Sequence, residues 1–485
     1  LGLLFVLVIW GAAPPERRAE ARPASRRETR RKGTSTRKKS AQKAKRRKKK
    51  NKKKSFRPPA GFRRVVSLRA IHGKTVRSLR FRGLSRTRRL RLLHHMDTEV
   101  GEKIDWGVLA EDLRRLRNLE LFTTLVLYVR PRGDDAVDLL LHLEDKWSLL
   151  PYFNFVRGGG SYQIVCGVYD VNVLGAMFML DANFIVFDGQ PAGILYGRVP
   201  RVAGLPLELG ADGGISRAIR TTYWMRTLPW QTFSLDSRWI NLLAETEPVP
   251  WLRLMLWQKF LWRKVSFAKE TAYAVHLPPG GRRAETGVML SLGKVTYQNY
   301  LMHGLKLTLW GTGSFEALGS DTHFLRISWD ARGYYRFGPR GGNLAGRLHG
   351  GYMTGGTLFD EFALGSFSGL RGFQYAQFVG RAFVAGSLEY RTGLLPLRFP
   401  IVSKIHRVFR GKTLRLQGVV FTEMGSIVGS RHFSTPESGQ MLLSVGAGFR
   451  GIFVPFYKAV LRVDACYTLE PFRAFDLMIA TQQAF

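Results

Sequence analysis

An arginine stands among apolar residues in the stretch GLRGFQYAQFVGR, Gly369 to Arg381. The glycines suit a turn, because only glycine takes positive φ at little cost. Leu370, Arg371 and Phe373 serve no turn. A guanidinium flanked by apolar side chains at a loop tip suits insertion into a structure. There it needs acceptors, because a buried unpaired guanidinium is strongly unfavourable. The chemistry on offer is ionic recognition. Bond-making chemistry finds no seat, since the sequence has no G-x-S-x-G, no H-E-x-x-H and no phosphate loop. No enzyme, catalytic residue or cofactor is expected. His94 and His95 fall at a helix end with nothing nearby to complete a metal site, so no metal is expected. Cys166 and Cys466 read as two unpaired, strand-packed thiols.

The elements around this stretch are strands. In FLRISWDAR, Leu325, Ile327, Trp329 and Ala331 alternate with Arg326, Ser328, Asp330 and Arg332. In LRLQGVVFTEMG, Leu414, Leu416, Val420 and Met424 oppose Arg415, Gln417 and Glu423. In RAFVAGSLEYR, Val384, Leu388 and Tyr390 oppose Arg381, Ser387, Glu389 and Arg391. A soluble sandwich buries its apolar faces against each other, whereas a membrane barrel turns them to lipid and lines its lumen with charge. Three features favour the barrel. From Pro151 to Phe485 there are many strands and no intervening helices. Aromatics gather at strand ends, as in WLRLMLWQKFLW. The sequence given stops on Phe485, on the same parity as Phe475, Leu477 and Ile479, which suits the C-terminal signal of an outer-membrane barrel. At roughly ten residues per tilted strand plus turns, this span suits a transmembrane antiparallel β-barrel of about sixteen strands.

Ahead of it, about Val66 to Trp147 has the composition of a small α/β domain. Thr75 to Gly83 reads as a strand, SRTRRLRLLHHMD carries a helix, and Asp105 caps a second helix. Trp106, Leu109, Leu113 and Leu116 recur on one face of that helix. Two strands joined by RPRGDD follow, giving the order β-α-α-β-β.

The net charge of +39 invites a nucleic-acid reading, but its distribution does not support one. Between Arg17 and Arg57 stand 22 Lys or Arg against Glu20 and Glu28, about half of the total charge. That tract is low in complexity and reads as disordered. The apolar run Leu3 to Trp10 is too short to span a membrane, and Gly11-Ala12-Ala13 supplies small residues, as in a secretory signal lacking its charged start. Export disfavours nucleic acid as a partner and leaves an anionic envelope polymer or lipid for the basic tract. The expected organisation is a signal-like segment over 1–13, a basic linker over 14–65, the α/β domain over 66–148 and the barrel over 149–485.

One β-α-α-β-β module followed by a barrel resembles the outer-membrane assembly-factor superfamily typified by BamA and TamA, whose periplasmic module is the POTRA domain. Leu370-Arg371-Gly372-Phe373 resembles the family's (V/I)RG(F/Y) motif at the tip of the sixth extracellular loop, with Leu in first place, and SLEYR (Ser387 to Arg391) follows at the family's spacing. Phe421-Thr422-Glu423-Met424-Gly425 resembles the partner F-x-D-x-G motif, with Glu for Asp, and LRVDACY resembles the penultimate strand. The resemblance implies that the loop folds back into the barrel. Glu423 and Asp464, inward by parity, can then accept from Arg371, with Arg462 on the same parity.

The function this implies is an insertase or translocase that assists assembly of β-barrel proteins or export of a client across the outer membrane. Its partners are unfolded outer-membrane or secreted clients and membrane lipid. The expected setting is the outer membrane of a Gram-negative-type bacterium, with the POTRA domain in the periplasm. The barrel's first and last strands, expected around Tyr162 to Val168 and Phe475 to Phe485, would form a lateral gate. The rivals are a dedicated two-partner-type secretion transporter and a passive porin.

Overall fold

The computed structural model describes residues 56–119, 121–224, 228–268, 277–298, 301–338, 341–393, 395–397, 414–430, 438–453 and 460–481. The signal-like segment, the basic tract through residue 55 and Phe485 lie outside the described residues.

The N-terminal unit consists of β1 (Arg63–Arg64), β2 (Thr75–Arg82), α1 (Arg89–Leu93), α2 (Trp106–Asn118), β3 (Phe122–Arg132) and β4 (Ala136–Asp145). Its sheet runs β1-β3-β4-β2, with β2 parallel to β4 and β3 antiparallel to it. Asp105 starts α2 by accepting from Gly107 N at 2.6 Å, which satisfies a helix-end donor. Leu109, Leu113 and Leu116 of α2 are buried with Leu92, Val76, Leu139 and Leu141 in one core. Trp106 does not join them. Its first-turn position leaves it 40% exposed, and the Arg69 guanidinium covers its ring.

The barrel begins with β5 (Leu149–Gly158), β6 (Ser161–Val173), β7 (Phe178–Phe187), β8 (Gln190–Val199) and β9 (Leu207–Trp224). It continues with β10 (Leu228–Val249), β11 (Leu252–Phe267), β12 (Gly281–Gln298), β13 (Leu301–Ser314), β14 (Phe324–Arg336) and β15 (Asn343–Gly355). A long loop follows, carrying the short ribbon β16 (Phe362–Leu364) and β17 (Phe378–Gly380). The wall resumes with β18 (Ala382–Arg391), its short continuation β19 (Leu395–Leu397), β20 (Leu414–Val428), β21 (Leu442–Phe453), β22 (Val460–Glu470) and β23 (Ala474–Ala480). Sixteen antiparallel staves close into a barrel when β23 pairs with β5.

The period-2 pattern fixes which face each residue takes. Leu325, Ile327, Val384, Leu388, Val420 and Met424 all point outward and exposed, while Asp330, Glu389, Arg391, Gln417 and Glu423 are buried inside. That is the polarity of a wall whose solvent is lipid. No helix among the described residues is long and apolar enough to cross a membrane. Both cysteines are free: Cys166 is exposed, Cys466 buried.

The first stave differs from expectation. Tyr162 to Val168 belongs to the second barrel strand, and the strand that meets β23 is β5. Pro151 and Gly158 bracket an alternating run that already pairs with β6 along its whole length, so the wall starts one strand earlier. The closing seam is short. Among the described residues β23 and β5 share two register positions, Ile479 with Arg157 and Ala480 with Val156. Thr481 N adds a bond to Phe155 O at 3.0 Å.

The N-terminal unit is fastened to the barrel at two turns. Asp145 at the end of β4 accepts from the backbone N–H groups of Ser85 and Arg86 at 2.6 and 2.7 Å, and from Thr87 Oγ1 at 2.7 Å. Thr87 Oγ1 in turn accepts from Asn172 Nδ2 at 2.8 Å, and Asn172 Oδ1 accepts from Met177 N at 3.0 Å. The chain of bonds thus passes from the sheet into the β6–β7 turn. Gly175 in that turn has φ +71, and an added Cβ would lie 1.9 Å from Arg86 O. At the next turn on the same rim, Arg201 Nη2 donates to Asp97 Oδ1 at 3.0 Å.

Candidate functional site

The loop between β15 and β18 turns into the barrel interior. Gly369 and Gly372 have φ of +107 and +93, which an L side chain resists, and they bracket Leu370 and Arg371. Leu370 and Phe373 are fully buried with Leu364, Phe378, Ile427, Leu442 and Phe472. Phe373 meets Phe378 and Phe472 edge to face, with ring centroids 5.5 and 5.9 Å apart. This apolar seat fixes the tip and leaves Arg371 only one direction to extend.

That direction leads to Glu423. Arg371 Nε donates to Glu423 Oε1 at 2.7 Å, and Arg371 N donates to Glu423 Oε2 at 2.5 Å. Arg371 Nη1 donates to Asp464 Oδ2 at 2.9 Å. Arg371 Nη2 lies 2.6 Å from Glu423 Oε1 and 2.7 Å from Glu389 Oε1, ion contacts without the alignment of hydrogen bonds. Ser387 Oγ donates to Glu423 Oε1 at 3.2 Å. Below the guanidinium, the Phe421 ring centroid is 3.5 Å from Arg371 Cζ, a close cation–π contact.

The motif glycine has a steric task. A Cβ on Gly425 would come within 3.2 Å of Leu370 Cδ1 and 3.1 Å of Ala385 Cβ, so glycine there makes room for the tip. Gly446, across from Phe421, makes the same allowance for the aromatic ring, whose Cζ would lie 2.3 Å from an added Cβ.

Arg371, Glu423, Asp464, Phe421, Leu370, Gly372, Phe373 and Gly425 therefore come together in one buried place. Sequence reasoning placed Arg462, Glu389 and Arg391 on the inward face but did not join Glu389, Arg391 or Arg450 to the network. Glu389 is fully buried, paired with Arg391 at 2.7 Å and touched by Arg371. Arg450 pairs with Asp464 and lies 3.9 Å from Glu389. Arg462 lies 3.5 Å from Asp464. Four guanidinium groups thus share three carboxylates in the interior, a balance that offsets much of the desolvation each charge suffers. The inward parity of Glu389 and Arg391 in SLEYR was the available signal. Asp330 forms a smaller cluster with Arg332 and Arg347, at 2.6 and 2.7 Å. Among the described residues no group of His, Cys, Asp and Glu could hold a metal.

Similarity to known proteins bears on the fold. Residues 280–462 match the Omp85 superfamily domain, a span that runs from β12 through the loop tip to β22. A search of curated proteins gives no match. Among solved structures, the chain is similar to BamA from Haemophilus ducreyi lacking POTRA domains 1-3, with TM-score 0.62, 13% identity and 84% of each chain covered. It is also similar to CdiB from Escherichia coli, with TM-score 0.59, 13% identity, and 84% of this chain and 76% of that one covered. CdiB from Acinetobacter baumannii gives TM-score 0.56 and 14% identity, with 84% of this chain and 74% of that one covered. At these identities the structural likeness speaks for the fold, and the matched domain assigns the part of the chain from 280 to 462 to the Omp85 superfamily.

Proposed function

We propose that the protein assists the insertion of β-barrel proteins into the outer membrane, with its N-terminal unit serving as a periplasmic POTRA module. The observation that carries this reading is the short β23–β5 seam beside a rigidly held loop. Among the described residues the seam holds two register pairs and the Thr481–Phe155 bonds, and a seam of that length opens at far less cost than one paired along the whole stave. The exposed edges of β5 and β23 would then template strands of an extended client. The arginine network holds the adjoining staves β18, β20 and β22 in place, so opening stays local. Arg371, Glu423 and Asp464 act here as positioning residues, and no chemical step is required.

The basic tract between Arg17 and Arg57 fits attachment to an anionic envelope surface, since each Lys or Arg near such a surface contributes about 1 kcal/mol. The deciding experiment for the main reading is depletion of the protein followed by outer-membrane proteomics. Broad loss of barrel proteins is expected. Loss of one secreted protein with barrels intact would replace this reading by a dedicated secretion transporter, and no change in either would favour a passive pore.

A further inference from the structure

Under the base of the same loop the interior carries the opposite charge. Arg220 on β9, Arg263 on β11, Arg283 on β12 and Arg326 on β14 all take inward parity, each within four residues of the strand end remote from the N-terminal unit. A capped turn, Thr357 to Asp360, sits against them. Asp360 Oδ1 pairs with Arg283 Nη1 and lies 3.7 Å from Arg263 Nη1. Its other oxygen is already committed, accepting from Thr357 N and Oγ1 at 2.7 and 2.8 Å. Arg283 Nη2 donates to Thr357 Oγ1 at 3.1 Å. Arg220 and Arg326 lie in electrostatic reach of Asp360 and of each other.

The single shared carboxylate cannot satisfy this set. Nε and Nη2 of Arg220, Nε and Nη1 of Arg263, and Nε of Arg326 are buried without a hydrogen-bond partner among the described residues. Glu361, next in the chain, is engaged by Arg381 and by Ser430. Glu285 is the other acid within reach of Arg263 and Arg326. Four guanidinium groups against two carboxylates leave an excess of two positive charges. Phe359 closes one flank by packing edge to face on Phe233 at 5.3 Å, within a cluster that includes Leu358 and Val265. That apolar wall strengthens any charge interaction beside it.

We propose that this arginine cluster binds a phosphate group. A phosphate carries about −1.5 to −2 charge near neutral pH and three or more strong acceptor oxygens. It therefore matches both the excess charge and the number of unpartnered donors, whereas one further carboxylate matches neither. Planar guanidinium forks suit phosphate oxygens in pairs. At the rim remote from the N-terminal unit the group could come from free phosphate or from a phosphate-bearing lipid headgroup. Once bound, it would tie β9, β11, β12 and β14 to the base of the loop.

The test is calorimetric titration of the full-length, detergent-solubilised protein with inorganic phosphate, at ionic strength held constant with chloride. Saturable binding is expected. Arg220→Gln and Arg326→Gln should each weaken it about tenfold. Glu285→Gln, which removes a competing charge, should strengthen it several-fold, and this opposite sign keeps the proposal exposed should an arginine variant fail to fold. Repeating the titration in bilayer nanodiscs of phosphatidylcholine with or without phosphatidic acid separates the sources. Competition by phosphatidic acid identifies the lipid headgroup, and its absence identifies free phosphate. A phosphate response no different from chloride, or binding unchanged in the variants, overturns the site.

Discussion

Glu423 holds Arg371 twice: one carboxylate oxygen accepts from the side-chain Nε at 2.7 Å and the other from the residue's own backbone N–H at 2.5 Å. The grip therefore fixes the position of the chain as well as the charge at its end. Removing the guanidinium should leave Glu423 buried without its cation, while Glu389 keeps Arg391 and Asp464 keeps Arg450 and Arg462. Arg371→Ala is expected to cost about 3–5 kcal/mol locally. Arg371→Lys should recover part of this, since an ammonium keeps the charge but loses the fork. Thermal unfolding followed by heat-modifiable gel migration measures both, and equal stability of Arg371→Ala and the parent would sink the network's stabilising role.

Charge reversal offers a sharper check. In Arg371→Glu with Glu423→Arg, the new glutamate would face Glu389 and Asp464, and the backbone N–H of residue 371 would lose its acceptor. No rescue is expected, with the double variant at least as unstable as Arg371→Ala. Glu423→Gln alone should be milder, because an amide oxygen still accepts one bond. The same unfolding assay ranks the three.

The two motif glycines should differ. An alanine at 372 must hold φ near +93 and meet Thr468 Cγ2 at 3.0 Å. At 425 the backbone is ordinary and only the tight approaches to Leu370 and Ala385 resist. Gly372→Ala is expected to destabilise by about 1–3 kcal/mol, with Gly425→Ala lower in that range. The reverse order in unfolding temperature would contradict the steric account.

Docking of the N-terminal unit should weaken in acid. Burial, together with the guanidinium groups of Arg201 and Arg115, pushes His95 down from 6.5 to about 4. The folded unit thus binds a proton less readily than the unfolded chain, so stability rises with pH. His95 contributes fully above pH 6.5, and its contribution is lost as pH falls towards 4. Asp145 acts in the same sense at lower pH. Burial alone would raise its carboxyl, but bonds from Thr87, Arg86 and Ser85 hold it below the usual range. Amide protection factors, taken relative to the intrinsic exchange rate at each pH, should fall in the β8–β9 turn that carries Arg201 between pH 6.5 and 4, and His95→Gln should flatten that profile.

The seam prediction is direct. Val156→Cys with Ala480→Cys places two thiols at a paired position between β5 and β23. Under oxidising conditions the bridge should abolish client insertion into proteoliposomes, and reductant should restore it. Full activity with the bridge formed would show that the wall need not open there.

The wall was readable from the sequence because lipid and lumen impose opposite demands on alternate residues. Leu325 beside Arg326 already tells which way each points. Parity assigns a face but not a height, however, and partners across the lumen depend on height. Glu389 pairs in register with Phe421, two register positions along from Ser387 with Glu423, and only that register brings its carboxylate to Arg371. The bond between Asn172 and Thr87 spans 85 positions and arises from turn geometry, which no local pattern announces. The start of the wall was displaced by one strand because Leu149 to Gly158 follows β4 with no helix or long loop to mark the change.

The long loop is polarised along its length. Its tip carries a cation into a ring of acids on β18, β20 and β22, and its base carries an anion to arginines on β11 and β12. Inserted the other way round, each end would meet its own sign. The loop therefore works as a keyed latch that seats in one orientation. Both catches exist only after two separate arcs of the wall have reached their registers, so a seated latch is itself a report that the barrel around it has finished folding.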